Sequence, residues 1–308
     1  SSTSRGLGDV YKRQGLFYNK KVMADNGWSV PTTITEFEKM ADEMVSKGIV
    51  PIGAGNSNWR PANEWHVTLA LNSIAGPDNL QKALTGEMSW TEKPFLDSVN
   101  ALKRWWDKGY FGDDYFSIST EQMISNLAEG MSAMAPTGSW SFGDVPTYFA
   151  DQLDNVGFAG FPSGEGVAYP IYALGIGTTF SIASKAENPE GAAEVIDFMF
   201  DDEFYTAMNN EWQGEWNLPL RDLSGIKLSE DVLPEYTESM AALASAIDKN
   251  QYGYTSWTFM PPNTNSYVVS GIEEVWLDSI SPEQFLAELD EIFQRELAEG
   301  KAFEIPAR

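Results

Sequence analysis

Glu129-Gly-Met-Ser-Ala-Met-Ala-Pro-Thr-Gly-Ser-Trp140 compresses a helix end, an apolar strand, a glycine turn and an aromatic ring into twelve residues. Upstream, Ser119 to Gln122 has the Ser-x-x-Gln form of a capping box, and Met123, Ile124, Leu127 and Ala128 recur at helical spacing until Gly130 ends the helix. Met131 to Ala135 predicts a buried strand, and Pro136 and Gly138 predict its end. Trp140 is then delivered at a turn into a short helix over Phe142 to Ala150. A ring at the end of a strand either joins the core or faces a cleft, and these residues alone leave both readings open.

The flanking chain repeats the alternation of strand and helix. Gly15 to Asn19 and Val50 to Ala54 predict strands. Between them, the capping box Thr33-x-x-Glu36 opens a helix with Phe37, Met40, Ala41, Met44 and Val45 on one face, closed by Gly48. Pro94 to Lys108 predicts a helix with Phe95, Val99, Leu102 and Trp106 as its stripe. Further strands are expected over Val156 to Phe161 and Thr178 to Ser184, and Asn188-Pro189 starts a helix that should bury Ala192, Val195, Ile196 and Met199. Pro234 to Asp248 follows as a helix, Ser266 caps one through Trp276, and Ser281-Pro282-x-Gln284 opens the last. The fold class is therefore α/β.

Composition removes several function classes. The 308 residues suffice for two lobes, and with no cysteine and a single histidine, His66, thiol chemistry and Cys/His metal sites are excluded. A Ser-His-Asp triad would have to use His66, and no Gly-x-Ser-x-Gly elbow or P-loop accompanies it. A formal charge of −25 makes nucleic acid and anionic membrane surfaces poor partners and favours an uncharged ligand over an anionic one.

Sugars present flat C–H faces and polar edges, so a site for them needs rings to stack on and polar groups for the hydroxyls. Several of the 11 tryptophans lie in loops beside such groups. Trp59 neighbours Asn58 and Arg60, Trp65 neighbours Glu64, Trp216 neighbours Glu215, and Trp257 lies near Tyr254. With Trp140, these make the candidate ligand-binding set Asn58, Trp59, Arg60, Glu64, Trp65, Trp140, Trp216, Tyr254 and Trp257. Trp106 and Trp276, at helical spacing, are expected in the core. The competing reading of each loop tryptophan is an anchor packed on its own neighbours.

Four ordered segments carry a family resemblance. "EGMSAMAPTGSW" resembles the G-x-x-A-M-x-x-x-G-x-W signature of the maltose-binding-protein-like solute-binding proteins of carbohydrate ABC importers. "LFYNKKVMADNGWSVPTTITEFEKMADEM", "VGFAGFPSGEG" and "SIASKAENPEGAAEVIDFMF" are similar to further stretches of the same family, in the same order. The resemblance implies two α/β lobes of the type II periplasmic binding fold, with a ligand held in the cleft and hinge closure on binding. It implies delivery of a sugar or oligosaccharide to the permease subunits of an ABC transporter, with no cofactor, no catalytic residue and no metal. The full-length protein would be a monomer outside the cytoplasm, either a membrane-anchored lipoprotein or periplasmic.

By the family's chain path, 15–157 would build lobe two, 158–222 would belong to lobe one, and 223–308 would return to lobe two. Ser1 to Gln14 resembles translated sequencing-adapter sequence and is expected to be a non-native leader outside the fold. The family's opening lobe-one segment has no counterpart, so a half-built cleft is expected to hold sugar very weakly or not at all, and the chain to be prone to associate. A glycoside hydrolase is the rival class, since such enzymes share Trp-rich clefts and need only a pair of carboxylates.

Overall fold

The computed structural model describes residues 9–58, 60, 62–216 and 227–307. A mixed sheet forms its spine. Strands β1 (Asp9–Asn19), β2 (Val50–Ile52), β3 (Ser132–Gly138), β4 (Val156–Ala159), β5 (Tyr172–Thr179) and β6 (Tyr252–Tyr254) take the order β2-β3-β1-β5-β6, with β4 paired to β1. β1 runs antiparallel to β3, β4 and β5, whereas β2 lies parallel to β3 and β6 parallel to β5. The parallel pair β2 and β3 requires a long crossover, which the helical residues between them supply.

Helices α1 (Lys20–Asp25) and α2 (Ile34–Ser46) follow β1. After β2 the chain winds through a π-helical turn (Ala62–Val67), α3 (Thr68–Ala70) and a second π-helical turn (Leu71–Ala75), then α4 (Pro77–Leu84), α5 (Lys93–Asp107) and α6 (Thr120–Ala128). Beyond β3 come α7 (Val145–Phe149), α8 (Pro189–Met199), α9 (Asp202–Glu211) and α10 (Pro234–Asp248). The chain ends with α11 (Ser256–Phe259), α12 (Pro262–Trp276) and α13 (Pro282–Ala298). Two of the three capping boxes expected from sequence form in full: Thr33 accepts from Glu36 N and Ser281 from Gln284 N, each with the reciprocal bond, whereas at Ser119 only the bond from Gln122 N forms and the Gln122 amide turns to Asn126.

Two apolar cores flank the spine, and the pleat of β1 divides its side chains between them. Leu16 enters the first with Phe37, Trp90, Trp105, Trp276 and Phe293, and its neighbour Phe17 enters the second with Met123, Phe142, Tyr205, Trp216 and Tyr236. Trp106, expected in the α5 stripe, packs on the rim of the first core, stacked on Trp276 with centroids 5.2 Å apart and ring planes 5° apart. α12 is held by the buried Glu296 of α13, whose carboxylate accepts from the backbone amides of Asn263 and Thr264 in the first turn of α12.

Four sequence expectations change. The strand predicted from Gly15 begins at Asp9, so residues 9–14 are part of the fold rather than a leader outside it. An extended segment needs only a partner edge, and β5 supplies one from Thr179 to Ala173. Arg13 is buried there and donates to the Ser239 carbonyl at 2.7 Å and its Oγ at 2.6 Å, with the guanidinium 5.1 Å from the Phe158 ring. Second, β3 continues through Pro136 to Gly138, because the parallel partner β2 stops opposite Met134 and makes no demand on the missing proline N–H. Third, the strand expected over Thr178 to Ser184 ends at Thr179. Fourth, α8 forms, but none of its residues is buried.

Candidate functional site

The site grows out of the Glu129–Trp140 stretch. Ser119 caps α6 by accepting from Gln122 N, and Gly130, at φ +77°, turns the chain from α6 into β3. β3 is buried along its length and ends at Gly138. A Cβ at Gly138 would lie 2.0 Å from the Trp140 ring, so only glycine allows the indole to fold back over the end of its own strand. The 3-10 turn Ser139–Gly143 carries that ring and is closed by a 3.0 Å hydrogen bond between the Thr137 and Ser141 hydroxyls.

Beside this turn lies a cavity of about 180 Å³. Trp65, Trp140 and Tyr148 give it aromatic walls, Met123 and Ile124 of α6 an apolar floor, and Thr120, Glu121, Ser141 and Asp144 a polar rim. The volume lies below the roughly 300–1,000 Å³ of drug-sized sites, so the space suits about one ring of a larger ligand. Trp65 borders it from the π-helical turn, but its ring is 2% exposed and belongs to the second core, so it meets the cavity only by an edge. Partial burial, with Glu215 and Glu121 nearby, raises the Asp144 carboxyl above its ordinary pKa.

Asn58 stands just outside and ties the Gly55–Arg60 loop to the cavity rim. Its Oδ1 accepts from the Thr120 backbone N–H at 3.2 Å and its Nδ2 donates to Glu121 Oε2 at 2.9 Å. Arg60 is committed elsewhere, donating through Nε and Nη2 to the Glu273 carboxylate at 3.1 and 2.6 Å. Glu64 is half-buried, and its carbonyl accepts from Gln14 Nε2. Trp59 lies outside the described residues.

The structure does not bring the remaining candidates to this cavity. Trp216, 7% exposed, is enclosed in the second core, because the rings of Phe180, Phe200 and Phe204 surround it and bury its indole better than a cleft would. Tyr254 sits in β6 in the first core and donates its hydroxyl to the Pro306 carbonyl. Trp257 is half-buried in α11 and does not line the cavity. Thr120, Glu121, Ser141, Asp144 and Tyr148 went unrecognised in the sequence. The signal for the first two was the Ser119 cap, which fixes where α6 begins but not what its first turn faces.

His66 is buried against Phe111, Tyr115 and Trp276. Burial pulls its pKa down to about 3, so the ring is neutral at physiological pH and packs as a core residue away from the cavity.

The chain belongs to the bacterial extracellular solute-binding protein family, whose model matches residues 3–205. A curated relative, the multiple sugar-binding protein of Streptococcus mutans serotype c, is 24% identical over 195 residues, which is 60% of this chain and 44% of that protein. The chain thus spans less than half the length of that relative. Among solved structures, a chitin oligosaccharide binding protein superposes with a TM-score of 0.78 at 23% identity, over 96% of this chain and 72% of the other. A sugar transporter protein of Bacillus licheniformis in complex with stachyose gives 0.72 at 15% identity, over 93% and 72%. RafE in complex with raffinose gives 0.69 at 17% identity, over 94% and 72%. The fold is accordingly that of the two-lobed periplasmic binding proteins.

Proposed function

We propose that this protein binds a sugar or oligosaccharide outside the cytoplasm and hands it to the permease of an ABC importer, without breaking bonds in it. The observation that carries this reading is the cavity beside β3. It joins Trp65, Trp140 and Tyr148 with Thr120, Glu121, Ser141 and Asp144, giving rings for the C–H faces of a sugar and hydroxyl or carboxylate groups for its edges. The family assignment and the sugars named for the similar structures support the ligand class. Trp216, Tyr254 and Trp257 act in this reading through packing rather than by touching sugar. The protein works as a monomer, and its location is extracytoplasmic, as a lipoprotein or free in the periplasm.

Ligand-observed NMR with raffinose, stachyose and chitin oligosaccharides at millimolar concentration tests the reading, because it detects weak as well as tight binding. Saturable transfer to at least one of them is expected. No transfer to any would contradict the ligand class, and new reducing ends on incubation would point to the glycoside hydrolase instead.

A further inference from the structure

The loop that carries Asn58 is held at two places far apart in sequence. In its middle Asn58 grips the first turn of α6, whose Thr120 and Glu121 form part of the cavity rim. On either side of it, Asn56 and Arg60 converge on a single carboxylate, Glu273 of α12. Asn56 Nδ2 donates to Glu273 Oε1 at 3.0 Å, and Arg60 adds two parallel N–H bonds to the same group. Between these anchors the backbone follows the 115–119 segment, with Asn56 N donating to the Tyr115 carbonyl and Ser57 N to the Ile118 carbonyl, each at 3.0 Å. Gly55 permits this approach, since a Cβ there would sit 2.4 Å from the Ser119 carbonyl oxygen.

We propose that Glu273 is a positioning residue for the cavity, strapping Asn56 and Arg60 so that Asn58, two residues from each, keeps Thr120 and Glu121 in place on the rim. An exposed ion pair commonly contributes little, and the Arg60 side chain is 52% exposed. Two features set this one apart. The Glu273 side chain is only 13% exposed, and its bidentate bonds to Arg60, together with the Asn56 amide, fix direction as well as distance. Glu296, by anchoring the first turn of α12, gives the strap a rigid post. The route therefore runs from α13 through α12 and the loop to the cavity.

Amide hydrogen exchange on the intact chain, without sugar, tests the strap directly. In Glu273→Ala the Thr120 amide, which donates to Asn58, should exchange about tenfold faster, with Asn56 and Ser57 following and α2 and α5 unchanged. Glu273→Gln, which keeps the shape, should give part of the same effect. The charge-reversed pair Arg60→Glu with Glu273→Arg should restore protection, since the unbonded, buried Asn56 Oδ1 offers the new arginine an acceptor once the amide turns. Unchanged Thr120 exchange in Glu273→Ala, or a loss spread evenly over the whole chain, would overturn the strap.

The bearing on binding rests on the saccharide reading above, but the strap does not, so the two can fail separately. Raffinose should bind Glu273→Gln about fivefold more weakly than the parent chain. Equal affinity alongside fast Thr120 exchange would overturn the role in binding.

Discussion

Two turns of this protein share the pattern Gly-x-Trp, and the structure treats their rings in opposite ways. In Gly138-Ser-Trp140 the indole folds over the end of β3 and stays half-buried at a cavity wall. In Gly214-Glu-Trp216 it is driven into the second core among three phenylalanines. The two turns also touch, for a Cβ on Gly214 would fall 1.7 Å from the Ser139 carbonyl oxygen, and one on Gly143 would fall 2.9 Å from Trp212. The same Gly-x-Trp spacing thus yields a cavity wall in one place and a core anchor in the other. What differs is the company each ring meets. Trp140 faces the first turn of α6, whereas Phe200, just past the end of α8, and Phe204 of α9 close over Trp216.

The comparison breaks first at Trp216. Trp216→Ala should cost about 3–5 kcal/mol of stability, the range for truncating a fully packed aromatic, and be read as a lower denaturant midpoint at unchanged slope. A loss under about 1 kcal/mol would place the ring at a surface. Gly214→Ala should come next. Gly214 adopts φ +85°, and the added methyl meets the Ser139 carbonyl, so roughly 1–3 kcal/mol should be lost. Because Ser139 precedes Trp140, the same variant should shift the fluorescence of the cavity tryptophan, and an unchanged spectrum would mean that the two turns are not mechanically joined.

The smallest effect sharpens the cavity side. Asp144 carries a raised pKa through partial burial and through Glu215 and Glu121. Its folded state therefore holds a proton more tightly than the unfolded chain, and stability falls as pH rises through that window. Asp144→Asn should then stabilise the protein at neutral pH by a few tenths of a kcal/mol, given solvent screening, and the gain should vanish as the pH falls to the ordinary carboxylate range. A gain that persists in acid would show another cause.

How much of this could be read from sequence follows the same division between local signal and tertiary company. The capping boxes at Thr33 and Ser281 are local, and both form where the spacing puts them. The α8 stripe was also legible, but its exposure was not. Val195 is 59% and Phe198 47% exposed, since periodicity shows that a helix has an apolar face and not what covers it. Residues 9–14 looked foreign by their basic character, yet strand pairing uses the backbone and accepts them. Of the loop tryptophans the sequence singled out, Trp140 and Trp65 line the cavity beside β3. Glu121 and Asp144 carry no distinguishing local signal, and nothing local reveals that α6 and the Ser139–Gly143 turn close on one cavity. Arg60 was legible as a polar loop residue, but its partner Glu273 lies 213 positions away.

The most direct test of the saccharide site is a titration of raffinose, or of whichever of the three named sugars binds, against the parent chain and Trp140→Ala, with thermal melts on both. If the ring is a stacking platform, Trp140→Ala weakens binding by about 1–3 kcal/mol, roughly fivefold to 150-fold, and leaves the melting cooperative and close to the parent. Unchanged affinity together with a large drop in melting temperature would return Trp140 to the core and remove the cavity beside β3 as the sugar site.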